Sequence, residues 1–219
     1  MKKAILFDLD GTMWDAAEAV TLSWNKALAK SGTDYHVTVP YIMSLMGKTM
    51  EAIALEAFSG VSYERAMALL DACVEEENAY LREHGGELFE GLEETLKRLK
   101  GDGWFLGIVS NCQEGYIEAF LDYHHLGSYF SDFENFGRTG QGKGANIRLV
   151  RERNGLDPVV YLGDTQGDYD AAKEAGVAFI HAAYGFGTVP AGTPAIRDIR
   201  ELPEAAEKAL DSLGRGRVE

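Results

Sequence analysis

The stretch Lys3–Thr12, KAILFDLDGT, joins a compact apolar run to a cluster of polar residues. The apolar run predicts a short buried strand over residues 3–9, and the Asp-Gly-Thr sequence that closes the stretch predicts a turn. Asp8 and Asp10 stand two positions apart, so in an extended chain they face the same side at a spacing of ~7 Å. One carboxylate can then act as a nucleophile while the other carries a proton. A purely structural turn at Asp10 is the alternative.

The composition is that of an ordinary globular chain with an acidic balance. Of 219 residues, 46% are hydrophobic and 26% are charged, and the formal net charge is −14. That balance argues against sequence-independent nucleic-acid binding and against docking on anionic membranes. Cys73 and Cys112 are too few for a disulfide framework, which indicates reduced thiols. With no signal-like segment and no apolar stretch of membrane length, we expect a cytoplasmic protein. We also expect a monomer or dimer whose partner is a small molecule.

Two patterns divide the rest of the chain. Between Asp15 and Leu88 the apolar residues recur with helical spacing and no strand is evident. Helices are predicted there over 15–31, 49–58 and 62–84. After Gly86, predicted strands and helices alternate, which is typical of βαβ units and a parallel sheet covered on both faces. The predicted fold class is therefore α/β, a Rossmann-like doubly wound parallel sheet with an inserted helical segment.

Polar side chains follow the ends of the predicted strands. Ser110 and Asn111 come after the strand predicted over 104–109, Lys143 starts a predicted helix, and Asp164 and Asp168 come after the strand predicted over 159–162. Ligands of open parallel sheets bind outside the carboxyl ends of the strands, so these groups are expected to meet Asp8 and Asp10 at one edge.

Four carboxylates at one edge repel one another, by ~4 kcal/mol for a pair at 4 Å and an effective dielectric constant of 20. Either some of them are protonated or a cation joins them. An all-oxygen ligand set selects a hard cation, and Mg²⁺ fits a site that water and phosphate oxygens complete. The alternative for Asp164 and Asp168 is that they cap the helix that follows them.

Taken in order, these motifs resemble those of the haloacid dehalogenase (HAD) superfamily over essentially the whole chain. The matching segments are Asp8-Leu9-Asp10-Gly11-Thr12, Ser110-Asn111, Lys143 and Gly163-Asp164-Thr165-Gln166-Gly167-Asp168. The helical segment resembles the α-helical cap of the phosphoglycolate phosphatase and β-phosphoglucomutase group. The resemblance implies a HAD-like α/β core domain over 1–15 and 87–219 and a cap domain over 16–86.

The resemblance also implies a role for each matching residue. Asp8 is implied to be the nucleophile that forms an aspartyl-phosphate, and Asp10 the general acid/base. Substrate-binding roles are implied for Thr12, Ser110, Asn111 and Lys143. The implied Mg²⁺ ligands are Asp8, Asp10 through its backbone carbonyl, Asp164 and Asp168. The match departs from the family at Gly144, which stands where a proline often follows the lysine.

Two residues favour one subclass. The dehalogenases of the superfamily do not use an aspartate at the position of Asp10, so its presence favours a phosphate ester as substrate. The resemblance also implies that Thr12 favours hydrolysis over phosphomutase chemistry, because hydrolases of this group usually carry threonine at its position and β-phosphoglucomutases often carry valine. The expected function is a Mg²⁺-dependent phosphatase for a small phosphorylated metabolite of the phosphoglycolate or sugar-phosphate type. The alternatives are a β-phosphoglucomutase-like phosphomutase and a catalytically idle binding protein. Trp14 is expected to pack, and Lys48 lies in a segment that resembles one entering the site in this group.

Overall fold

The structure is a computed structural model that describes residues 2–215, with side chains described for residues 2–211. Its strands are β1 (Lys2–Phe7), β2 (Trp14–Asp15), β3 (Glu87–Leu88), β4 (Phe105–Ser110), β5 (Asp132–Asn135), β6 (Leu156–Gly163), β7 (Ala178–Ala182) and β8 (Ala195–Ile196). Its helices are α1 (Ala17–Lys30), α2 (Val39–Leu45), α3 (Met50–Ala57), α4 (Tyr63–His84), α5 (Leu92–Gly101), α6 (Tyr116–Tyr123), α7 (Phe136–Thr139), α8 (Lys143–Asn154), α9 (Gln166–Ala175) and α10 (Leu202–Arg215).

The main sheet has six parallel strands in the order β5-β4-β1-β6-β7-β8. The central strand β1 is buried on both faces, which explains its unbroken apolar run. Ile5 and Phe7 belong to one hydrophobic cluster, shared with α5 and α10. Ala4 and Leu6 belong to a second cluster, shared with α8 and α9. The predicted α/β class with helices on both faces of a parallel sheet is confirmed.

The strand register determines which loops meet. Phe7 is paired with Ile108 of β4 and with Leu162 of β6. The backbone N–H of Asp8 donates to the carbonyl of Leu162 at 2.8 Å, which extends that pairing by one residue. The polar residues that follow β1, β4 and β6 therefore leave the sheet side by side.

Residues 17–84 form the four helices α1–α4, and their apolar faces share the cluster on one side of the sheet. The expectation that no strand occurs between Asp15 and Leu88 is wrong at both ends of the segment. There β2 and β3 pair antiparallel over two residues each, Trp14 with Leu88 and Asp15 with Glu87. So short a ladder leaves no alternation of apolar and polar residues to read.

The seven-residue helix α2, which has a proline in its first turn, was not predicted either. The division into two domains at 15/16 and 86/87 stays a prediction. Among residues 2–215, no helix is both long enough and apolar enough to span a bilayer.

Candidate active site

Three buried carboxylates form a compact group at the carboxyl edge of the sheet, which we call the carboxylate cluster: Asp8, Asp164 and Asp168. Each offers an oxygen atom, and these atoms all lie within 4.8 Å of one another. Asp8 follows β1, Asp164 follows β6, and Asp168 lies in the first turn of α9. The structure thus brings together three of the four carboxylates that the sequence predicts at this edge.

Lys143 is the cation that faces this cluster. Its Nζ atom lies 2.7 Å from Oδ1 of Asp8 and 2.5 Å from Oδ1 of Asp168, and its side chain is 4% exposed. Burial lowers the pKa of a lysine, but here Asp168 and Asp8 more than reverse that effect and raise it above its ordinary value. Lys143 therefore stays protonated and holds Asp8 in a fixed position.

One positive charge does not balance three carboxylates. Burial raises the pKa of Asp8 well above its ordinary range, with a further rise from Asp168, while Lys143 opposes the shift. Burial also raises the pKa of Asp164 to about 6, again with a contribution from Asp168. The cluster consequently favours either a bound proton or a second cation.

Asp168 already has hydrogen bonds to both of its oxygens. Its Oδ2 accepts from the backbone N–H of Thr165 at 2.9 Å and from the Thr165 hydroxyl at 2.7 Å, while Oδ1 accepts from Lys143. The bond from the Thr165 N–H is one half of a capping box at the start of α9, and in the other half the backbone N–H of Asp168 donates to the Thr165 hydroxyl at 3.3 Å. Asp168 therefore caps α9, which was the alternative considered from the sequence. Asp168 also orients Lys143.

Asp164 has one free oxygen. Its Oδ2 accepts from the backbone N–H groups of Phe186 at 2.7 Å and Gly187 at 3.2 Å. Its Oδ1 is buried and has no hydrogen-bond partner. An orphaned carboxylate oxygen beside a second buried carboxylate is what a hard cation with oxygen ligands requires, so the residues fit Mg²⁺.

The carboxylate of Asp10 lies outside this cluster and has other partners. Its Oδ1 accepts from the indole Nε1 of Trp14 at 3.0 Å and from the hydroxyl of Tyr116 at 2.7 Å. Burial raises the pKa of Asp10 to about 6, and these two hydrogen bonds oppose the rise. A carboxyl group with such a pKa can exchange a proton near neutral pH. Trp14 is fully buried, as expected of a packing residue.

The predicted phosphate-binding residues lie on the loops beside the cluster. Thr12 and Ser110 are buried, and the Thr12 hydroxyl has no hydrogen-bond partner. The Ser110 hydroxyl is 3.4 Å from the backbone nitrogen of Cys112. Asn111 donates to the Gly47 carbonyl at 2.9 Å, and its own Oδ1 is buried without a partner. The unpartnered Thr12 hydroxyl is available to donate to a ligand oxygen, whereas Asn111 Oδ1 is available only to a donor.

Two candidate functional residues were not predicted from the sequence, Tyr116 and Glu77. Tyr116 begins α6 and reaches Asp10 from a position 106 residues away, so no local pattern marks it. The sequence pattern does indicate that Glu77 is unusual. It stands four positions after Cys73 and four before Leu81, within the buried face of α4, where an apolar residue is expected.

Known proteins share this architecture. A family model described as "Haloacid dehalogenase-like hydrolase" matches residues 5–182. Phosphoglycolate phosphatase 1 of Pseudomonas aeruginosa is 27% identical over 227 aligned residues, covering 96% of this chain and 82% of the relative. Phosphoglycolate phosphatase of Escherichia coli K12 is 27% identical over 214 residues, covering 84% and 82%.

Two solved structures show the same fold. A haloacid dehalogenase-like family hydrolase from Streptococcus pneumoniae superposes with a TM-score of 0.77 at 19% identity, covering 93% of this chain and 97% of the other. CbbY from Rhodobacter sphaeroides, solved with xylulose-(1,5)bisphosphate, has a TM-score of 0.77 at 21% identity, covering 92% and 96%. The resemblance drawn from the motifs is confirmed, and the family match spans most of the chain, so the chain belongs to the haloacid dehalogenase-like hydrolase family.

Proposed function

We propose that this chain is a Mg²⁺-dependent phosphatase that hydrolyses a small phosphorylated metabolite through an aspartyl-phosphate on Asp8. The observation that carries the proposal is the contact of Asp8 with Lys143 beside the unpartnered Oδ1 of Asp164. The relatives named phosphoglycolate phosphatases support a phosphate monoester as substrate, of the phosphoglycolate or sugar-phosphate type.

Asp8 is the proposed nucleophile. Lys143 holds its Oδ1, and a carboxylate oxygen attacks phosphorus while the bond from phosphorus to the ester oxygen breaks. Lys143 offsets the repulsion between the carboxylate and the incoming phosphate. Asp8, Asp164 and the Asp10 backbone carbonyl would hold Mg²⁺, with Asp168 ligating the ion or orienting its shell, and a bound ion would supply further neutralisation of charge.

Asp10 is the proposed general acid and base. It gives a proton to the departing alcohol oxygen and then takes one from the water that attacks the aspartyl-phosphate, so that Asp8 and inorganic phosphate are released. Trp14 and Tyr116 hold its carboxylate in place for both steps. The unpartnered hydroxyl of Thr12, together with Ser110 and Asn111, is proposed to bind the phosphoryl oxygens.

The acidic net charge supports a small-molecule substrate and neither a nucleic-acid nor a membrane partner. The oligomeric state, monomer or dimer, and the cytoplasmic location stay predictions.

The test is Asp8→Asn, assayed with p-nitrophenyl phosphate and a panel of phosphorylated metabolites, with and without Mg²⁺. We expect Mg²⁺-dependent release of phosphate by the wild type and at least a ~10³-fold loss in the variant, because the amide is not a nucleophile. Asp122→Asn, an exposed change on α6, is the control with full activity. Retained hydrolysis by Asp8→Asn would reject the assignment of Asp8 as the nucleophile. Transfer of the phosphoryl group to a sugar hydroxyl instead of water would identify a phosphomutase.

A further inference from the structure

Two adjoining cavities share the Asp10 side of the site. The first contains Asp8 and is bounded by Thr165 and the 186–187 loop. The second has a volume of about 60 Å³, room for several water molecules at ~10–15 Å³ each. Asp10, Met46 and Gly47 line both cavities. A phosphoryl group on Asp8 therefore places its ester oxygen near Asp10 and the alcohol portion of the substrate in the second cavity.

The second cavity is apolar on the side formed by α1–α4. The apolar residues lining it include Val20, Trp24, Ile42, Leu45, Ile53 and Val74. Two ionisable side chains of this segment also line it, Lys48 and Glu77. Lys48 is half-exposed, and its Nζ pairs with Glu56 at 2.6 Å. Glu77 is only 5% exposed, so it is the buried ionisable group that the helical segment presents to a bound alcohol, opposite Asp10 of the sheet edge.

Glu77, which lines this cavity, retains acceptor capacity. One oxygen accepts from the indole Nε1 of Trp24, and the other accepts from Nε2 of Gln113 at 2.9 Å. A carboxylate accepts up to roughly four hydrogen bonds, so about two positions stay open. An ionised carboxylate offers no donor of its own and repels a second carboxylate strongly in an apolar cavity.

We propose that Glu77 determines which alcohol the enzyme accepts. The second cavity takes a small alcohol portion with a hydroxyl or amine group that donates to Glu77, and it rejects an alcohol portion that carries a carboxylate. This inference rests on the proposed phosphatase function and narrows its substrate class. Phosphoglycolate carries such a carboxylate, so the inference excludes the ester after which the phosphoglycolate phosphatase relatives are named.

The protonation state of Glu77 sets the conditions for the test. Burial raises the pKa of Glu77 to about 7, the hydrogen bonds from Trp24 and Gln113 oppose the rise, and Asp10 adds to it. At pH 8 the carboxylate is mostly ionised and can only accept. The comparison is therefore made at pH 8.

Three two-carbon monoesters of equal length provide the probes: 2-hydroxyethyl phosphate, phosphoethanolamine and 2-phosphoglycolate. With Mg²⁺ at pH 8 we expect the wild-type kcat/KM for each of the first two to exceed that for phosphoglycolate by about 10- to 100-fold. In Glu77→Gln this ratio falls at least ~10-fold, because the neutral amide no longer repels the carboxylate. Glu75→Gln, an exposed change on the same helix, keeps the wild-type ratio.

Each remaining outcome has one meaning. Wild-type turnover of phosphoglycolate as fast as that of the donor esters overturns the inference and leaves the phosphatase function standing. An equal loss on all three esters in Glu77→Gln shows that Glu77 only joins α4 to the core, and it overturns the inference as well. If the wild type hydrolyses no ester at all, the proposed function itself fails. If Glu77→Gln does not fold, the wild-type ranking still tests the inference, because turnover of phosphoglycolate as fast as that of the donor esters overturns it.

Discussion

The indole Nε1 of Trp14 donates a 3.0 Å hydrogen bond to Oδ1 of Asp10, four residues earlier in the chain. Trp14 is also the first residue of β2, whose pairing with β3 joins the two ends of the helical segment 17–84. Asp10, the residue proposed to move protons, is thus held by the residue that begins the short β2–β3 ladder, after which the chain enters α1. The orientation of Asp10 and the geometry of that exit point are therefore linked.

Trp14→Phe removes this donor and keeps an aromatic ring in the core. We expect kcat/KM for an alkyl phosphate such as ethyl phosphate to fall about tenfold, because the alkoxide needs a well-placed proton from Asp10. For p-nitrophenyl phosphate we expect less than a threefold fall, since nitrophenolate departs without protonation. Steady-state kinetics on both esters measure the difference. An equal loss on the two would show that Trp14 acts on the fold and not on Asp10.

Lys143→Met leaves the carboxylate cluster without its buried cation. Removing one partner of a buried ion pair costs about 3–5 kcal/mol, because the remaining charges stay buried and unpaired. Urea unfolding measures the free energy of unfolding of the variant and the wild type. Lys30→Met is the control: its pair with Glu76 is at the surface, so the change costs less than ~1 kcal/mol. A loss below ~1 kcal/mol for Lys143→Met would contradict the buried ion pair.

Asp164→Asn tests whether the unpartnered oxygen holds a cation. At a Mg²⁺ concentration a hundredfold above its Kd, the wild type should gain about 2.7 kcal/mol of stability over its state in EDTA. The variant should gain almost nothing, yet be at least as stable as the wild type in EDTA, because one repelling charge is gone. Thermal unfolding with Mg²⁺ and with EDTA measures both effects. Asp170→Asn, exposed on the same helix as Asp168, serves as the control. A full Mg²⁺ response in Asp164→Asn would exclude Asp164 as a ligand.

The sheet and its polar edge could be predicted because their signals are local. The run before Asp8 reads as a strand buried on both faces, and its register with β4 and β6 brings the following residues together. The partners of Asp10 and Glu77 could not be predicted in the same way. Tyr116 lies 106 residues from Asp10, and Gln113 lies 36 residues from Glu77.

The position of Glu77 also shows what the periodic pattern of apolar residues in α4 does not determine. An acidic residue in the buried face of α4 indicates that something compensates it, yet the pattern does not say whether a donor, a proton or a ligand does so. The structure supplies two donors, Trp24 and Gln113, and a cavity beside them. The residue roles transferred from the family resemblance stay predictions until the variants are assayed.

Gly185→Ala tests how closely the loop after β7 packs on the site. A Cβ at Gly185 would overlap the carbonyl oxygen of Gly11 and lie 2.5 Å from Cβ of Asp164. We expect a loss of about 1–3 kcal/mol from overpacking and a weaker Mg²⁺ response, because Asp164 must move. Gly127→Ala, where a Cβ meets nothing within 4 Å, is the control with little effect. Thermal unfolding with and without Mg²⁺ measures the stability and the Mg²⁺ response of each variant. Wild-type values for Gly185→Ala would show that this loop can shift without a measurable cost in free energy.

Glu77→Gln should change how stability depends on pH. A carboxyl group whose pKa rises to about 7 on folding binds more protons in the folded state than in the unfolded state. Its contribution to stability is therefore present at low pH and is lost as the pH rises through 7. Glutamine does not titrate, so between pH 5.5 and 8.5 the variant should gain on the order of 2 kcal/mol relative to the wild type. Urea unfolding of both proteins across this range measures the difference, in which the other carboxyl groups largely cancel. A difference that is independent of pH would mean that the carboxyl group of Glu77 titrates in the folded protein as it does in the unfolded chain.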